Sequence, residues 1–170
     1  PCGALRLLND HPDYQKLKEA GIKSIYLGHY IKWDGRKHYN AVKERGFTGR
    51  ALGPLSGNYI DYDNIDEKLC EINIWFKYLK FGFWRSTDQC CYDIWNDRLS
   101  RDEAVDIVLR LSDQFPREYF HDFLRFHKLS EQEFWDTVEK FRNKNIWEQA
   151  GERWRMKYPV SKLSQPAVIQ

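Results

Sequence analysis

"EKLCEINIWFKYLKFG", residues 67–82, decides the fold. Leu69, Ile72, Phe76 and Leu79 recur at spacings of three and four, the apolar stripe of a helix that buries one face. Asp66 just before it is a natural cap and Gly82 a natural stop. Downstream the same signature repeats. "LSRDEAVDIVLRL" carries a capping box, Ser100 with Glu103, ahead of Ala104, Val105, Val108 and Leu111. "LSEQEFWDTVEKF" repeats it with Ser130 and Glu133, then Phe134, Val138 and Phe141. Between them Pro116 sits where a helix starts, with Tyr119, Phe120, Phe123 and Leu124 as its apolar face. A shorter helix is predicted over 88–96. The stretch "IWEQAGERWRMKYPV" predicts two short strands around a turn, and "SKLSQPAVIQ" a frayed end.

Upstream the pattern is mixed. "HPDYQKLKEAG" offers Asp13 as a cap and Gly21 as a stop. "IKSIYLG" alternates, is β-branched and is bounded by glycines, which predicts a strand at 22–27. Asp34 caps a helix predicted over 36–45. Residues 46–66 form a long loop with Gly49, Gly53, Pro54 and Gly57, of a length that usually serves function or motion. The expected fold is mainly α with a small β contribution. The expected organisation is a segment 1–66 that closes a nucleotide-binding core, a helical domain 67–158 and a tail 159–170.

Composition excludes several classes. Of 170 residues, 42% are hydrophobic and 16% aromatic, which is incompatible with wholesale disorder. The net charge of +2, from 27 basic against 25 acidic residues, gives no global case for nucleic acid. The helices 101–111, 116–126 and 131–142 have helix-turn-helix lengths but no strongly basic face. No apolar run approaches the ~20 residues of a membrane span. Neither nucleic acid nor membrane is an expected partner, and the expected location is cytoplasmic. The four cysteines form no C-x-x-C pair, so reduced thiols and no metal site are expected.

Three constellations carry possible chemistry. In "LKFGFWRSTDQCCYDIW", Lys80, Arg85, Ser86 and Thr87 surround Gly82 and a helix amino end. That set suits phosphate, and Asp88 suits a bridging magnesium ion. Spacing alone favours an ordinary solvated helix end, because no Gly-x-x-x-x-Gly-Lys motif is present. In the long loop, Gly57 permits close backbone approach to a ligand, and Tyr59 and Tyr62 stand among Asp61, Asp63 and Asp66. Aromatic rings with carboxylates suit sugar hydroxyls, although turn-forming Asp and Asn are common in any surface loop. Gly28, Lys32, Trp33 and Asp34 follow the predicted strand, at the carboxyl end where α/β proteins bind ligands. His29 and His38 lack a zinc spacing.

"GIKSIYLGHYIKWD", "SGNYIDYDNIDEKL", "KYLKFGFWRSTDQ" and "LSRDEAVDIVLRL" together resemble the N-acetyl sugar amidotransferase family, over roughly His11 to Tyr158. This is a PP-loop ATP pyrophosphatase family of surface-polysaccharide, O-antigen and nonulosonic-acid pathways. The resemblance implies ATP and Mg2+ as cofactors, a nucleotide-linked sugar as substrate and a glutaminase subunit that supplies ammonia. It implies that an acetamido group becomes an acetamidino group through adenylation, with Lys80 and Arg85 stabilising phosphate charge. The family's Ser-Gly-Gly-x-Asp-Ser phosphate loop and its paired zinc-type cysteines are not in these residues and would lie upstream of Pro1. The chain alone is therefore not expected to turn over ATP. Trp84 stands where the family usually has glycine, a ring expected at the pocket. The alternative function is a non-catalytic helical interaction module. An edge strand at 22–27 without its sheet is expected to drive self-association.

Overall fold

The computed structural model describes residues 13–163. The lead-in before Asp13, with Cys2, and the end of the frayed tail lie outside the described residues. The chain divides into two compact units, Pro1–Trp33 and Asp34–Gln170.

In the first unit, α1 spans Tyr14–Glu19, and Asp13 caps it by accepting from the Gln15 N–H at 2.7 Å. The strand expected at 22–27 does not form. Residues 22–26 lack regular structure, and a 3-10 turn at Leu27–His29 follows. Alternation and β-branching suffice for a strand only where a neighbour takes its N–H and C=O groups, and no strand among the described residues does so. Instead the Leu27 carbonyl accepts from the Tyr30 and Ile31 amides. Ile25, Tyr26, Leu27 and Tyr30 are all exposed.

The second unit runs α2 (Gly35–Lys43), the long loop, α3 (Cys70–Phe81), α4 (Arg85–Trp95), α5 (Arg101–Leu111), α6 (Phe120–His127), α7 (Glu131–Phe141), β1 (Trp147–Ala150), β2 (Arg153–Met156) and a 3-10 turn at Val160–Leu163. The fold is mainly α with one small antiparallel hairpin, Trp147 opposite Met156 and Ala150 opposite Arg153. Both predicted capping boxes are formed, at Ser100 and at Ser130. α3 starts at Cys70 because the Glu67 carboxylate takes the Leu69 amide at 2.7 Å, which leaves Asp66 outside the helix. α6 starts at Phe120, four residues after the buried Pro116. The division expected near residue 66 is absent. The loop belongs with the helices, tied to them by Ser56 to Glu118 and Gly57 to Gln114.

The core is aromatic. Ile72, Trp75 and Leu79 of α3 pack with Trp84, Phe120, Phe134, Val138 and Trp147. Rings meet edge to face, Trp75 on Phe115 at 4.9 Å and Phe120 on Phe134 at 4.9 Å, the geometry their quadrupoles favour. The Trp147 indole N–H donates to the Leu79 carbonyl at 2.9 Å, so the hairpin's largest side chain is buried without an orphaned donor. A second cluster, Cys90 with Ala104 and Val108, joins α4 to α5.

Candidate functional site

One end of α2 is clamped to the end of α4. Asp34 caps α2 by accepting from the Arg36 and Lys37 amides, each at 3.2 Å. The same buried carboxylate receives both Arg98 Nη atoms, at 2.9 and 3.0 Å. The Arg98 bonds hold the Asp34 carboxyl down at about 2, against the opposing pull of burial. Arg98 Nε also donates to Asp93 Oδ1 at 2.7 Å, and Asp93 Oδ2 receives Arg36 Nη2 at 2.6 Å. Two carboxylates and two guanidinium groups thus balance. Removing one member of such a set would leave a buried charge, at a cost of roughly 3–5 kcal/mol.

Gln89 of α4 fixes the loop. Its Oε1 accepts from the Tyr59 and Ile60 amides at 2.7 and 3.4 Å. Its Nε2 donates to Asn58 Oδ1 at 3.0 Å and to Asp63 Oδ2 at 3.2 Å. Asp63 also pairs with Arg85. Asn58 Nδ2 donates to the buried Glu71 at 2.7 Å, and burial pushes the Glu71 carboxyl up.

These two networks present a cleft of about 410 Å³. Arg36, Tyr39 and Asn40 of α2 form one wall, and Pro54, Tyr59, Ile60, Asp61 and Tyr62 of the loop form the other. Tyr39 and Tyr62 stack across it, with centroids 4.3 Å apart and planes within 8°. Gly49 leaves room for Asp61, since a Cβ there would lie 2.8 Å from Asp61 Oδ2. Aromatic edges beside a carboxylate and an amide can hold a polyhydroxylated ring.

The residues expected from sequence are scattered differently. Tyr59 and Tyr62 line this cleft. Asp34 supports it from beneath, as the buried cap of α2. Gly57 faces Trp84, not a ligand: a Cβ there would lie 1.7 Å from the indole Nε1. Trp84 in turn is wholly buried against Tyr78 and belongs to the core. Gly28, Lys32 and Trp33 lie in the first unit, on a turn and the segment after it, and not at the end of a strand.

Lys80 and Arg85 point to separate partners. The Lys80 amine sits over the Phe141 ring at 5.5 Å, while Arg85 pairs with Asp63. α4 begins at Arg85, so Thr87 is in its first turn, and Gly82 ends α3 in the left-handed conformation. Asp88 is paired with Lys77 at 2.6 Å. Arg85 and Asp88 are thus already paired within the chain, Lys80 points away from both, and no group of three metal-ligating side chains occurs among the described residues. These residues do not fit a self-sufficient grip on ATP and Mg2+.

Arg36, Asn40, Gln89, Asp93 and Arg98 were not anticipated. The available signal was the spacing of Ser86, Gln89 and Asp93, a polar stripe at three and four along α4 that is buried here.

Residues 56–160 match the family model described as LPS biosynthesis protein WbpG-like, C-terminal domain. The chain belongs to this WbpG-like C-terminal domain family. No curated protein matches it. The WbpG-like match takes in Tyr59–Tyr62 of the loop wall, Gln89, Asp93, Arg98 and the terminal hairpin but not the α2 wall, and it links the chain to lipopolysaccharide biosynthesis. No helix among the described residues is long and apolar enough to cross a membrane.

Proposed function

We propose that this chain is the sugar-recognising part of an ATP-dependent amidotransferase of lipopolysaccharide and O-antigen assembly. The substrate is a nucleotide-linked N-acetyl sugar of the kind found in nonulosonic-acid and related pathways. The product carries an acetamidino group, with ammonia supplied by a glutaminase partner. The observation that carries this proposal is the Tyr39–Tyr62 stack beside Asp61, Asn40 and Arg36, in a family of lipopolysaccharide biosynthesis.

ATP, when bound to the complete enzyme, would supply the activation of the acetamido oxygen. The chain's own residues bind and orient. The ring edges of Tyr39, Tyr59 and Tyr62 take the apolar side of the sugar, Asp61 accepts from its hydroxyls, and Arg36, already paired with Asp93, stiffens the wall. The Asp34–Arg98–Asp93 clamp keeps Arg36 in place, so little ordering is left to substrate binding. An amide oxygen is a poor nucleophile, and holding it in register is the main service a binding domain can give.

The test uses the complete enzyme with its glutaminase and ATP, following pyrophosphate release that depends on the N-acetyl sugar nucleotide. Tyr62→Ala should raise KM about tenfold with kcat little changed, the loss of about 1.4 kcal/mol of ground-state binding. An unchanged KM for both Tyr62→Ala and Asp61→Ala would remove the cleft from the reaction. The alternative, a helical interaction module, draws on the exposed Ile25, Tyr26, Leu27 and Tyr30. It predicts a clean monomer in sedimentation and no response to sugar nucleotide.

A further inference from the structure

We propose that the Gly82 end of α3 is a docking surface for a bilayer carrying anionic lipids. The sequence gives no membrane span, and surface contact needs none. Three phenylalanines lie exposed there, Phe81 at 62%, Phe141 at 50% and Phe83 at 39%. Phe81 and Phe83 have centroids 6.3 Å apart. Asn143 fastens the end of α7 to the end of α3, donating from Nδ2 to the Lys80 carbonyl at 2.9 Å and from its amide to the Leu79 carbonyl. This places Phe141 beside Lys80.

The amines gather around the same rings. Lys77 lies 4.2 Å over Phe83, and Lys80 and Lys140 lie 5.5 and 5.8 Å over Phe141. Lys157 donates to the Lys144 carbonyl at 2.8 Å, and its amide bonds the carbonyl of Ile146, the side chain that closes on Gly82. The nearby carboxylates Asp88 and Glu139 are spent on Lys77 and Arg142. No ion pair among the described residues neutralises Lys80 or Lys140.

Exposed rings need apolar cover, and the amines need anions at the same depth. The interface of an anionic bilayer supplies both in one layer. Nucleic acid fits less well, because Lys77, Lys80 and Lys140 already occupy faces of Phe83 and Phe141 that bases would stack on.

The experiment is sedimentation of the full chain with phosphatidylcholine vesicles, with and without phosphatidylglycerol. Binding is expected only with phosphatidylglycerol. It should fall about 30-fold in Lys80→Ala/Lys140→Ala, at roughly fivefold per amine. Phe81→Ser/Phe141→Ser should also weaken it. All four side chains are exposed, and each variant should keep the wild-type circular dichroism spectrum. Absence of binding to the anionic vesicles overturns the proposal, as does binding that survives both double variants. Capture of polyglutamate, lost in the lysine variant, without any vesicle binding would assign the surface to an acidic protein and also overturn it.

Discussion

Gly57→Ala should be among the most damaging single-methyl changes in the chain. Gly57 has φ +79°, and a Cβ there would lie 1.7 Å from Trp84 Nε1 and 2.2 Å from its Cε2. The indole cannot retreat, because it is fully buried and meets Tyr78 edge-on at 5.0 Å. Gly53 is the matched control, with φ +83° and open space around the missing Cβ. Gly53→Ala therefore reads the left-handed backbone cost alone, roughly 1–2 kcal/mol. Gly57→Ala adds overpacking of about 1–3 kcal/mol, for a total of roughly 2–5 kcal/mol. Urea denaturation of both variants gives the two numbers, provided that the slope is unchanged. Trp84→Leu closes the cycle. The double variant should be more stable than the sum of the single losses implies, because the ring that collides is gone. Equal losses for Gly57→Ala and Gly53→Ala, or strict additivity with Trp84→Leu, would refute the close packing of loop on core.

Gln89→Leu should free the loop while sparing the core. The Tyr59 amide and Asn58 Oδ1 lose their partners, at about 1–3 kcal/mol for each buried group left unpaired. Hydrogen exchange at Tyr59 should accelerate far more than at Trp75, and equal acceleration would contradict Gln89 as the loop's anchor. Acid should weaken the α2 clamp. The Asp34 carboxyl is depressed from 3.8 to about 2 in the folded protein, so its contribution is complete above about pH 4 and is lost as pH falls through 2. Wild type should lose up to about 2 kcal/mol more than Asp34→Asn across that window in denaturation at stepped pH. Parallel curves would show that the clamp carries no linked proton.

Much of the helical fold was legible because helix signals are local. Capping boxes at Ser100 and Ser130, and the stripe of Ile72 and Leu79, need only neighbours within a turn or two. The expected strand at 22–27 failed because a strand is defined by its partner, which no local pattern reveals. Part of the cleft was visible in Tyr59 and Tyr62, since aromatic residues in an acidic loop stand out. Its supports were not. Ser86, Gln89 and Asp93 are polar and helically spaced, which reads as a solvated face, yet that face is buried, with Gln89 bonded to Asn58 and Asp93 to Arg36 and Arg98. Those partners lie up to 57 residues away, beyond the reach of periodicity. Lys80 and Arg85 are close in sequence, but a helix end and a new helix start lie between them and send their charges to Phe141 and Asp63.

The most direct test of the sugar-binding cleft is an amide chemical-shift map of the 15N-labelled chain titrated with UDP-N-acetylglucosamine. Saturable shifts should centre on Arg36, Tyr39, Asn40 and Tyr59–Tyr62, and Tyr62→Ala should abolish them. Shifts that centre instead on Arg85, Thr87 and Asp88, or no saturable shift at any site, would contradict a sugar nucleotide held between α2 and the long loop.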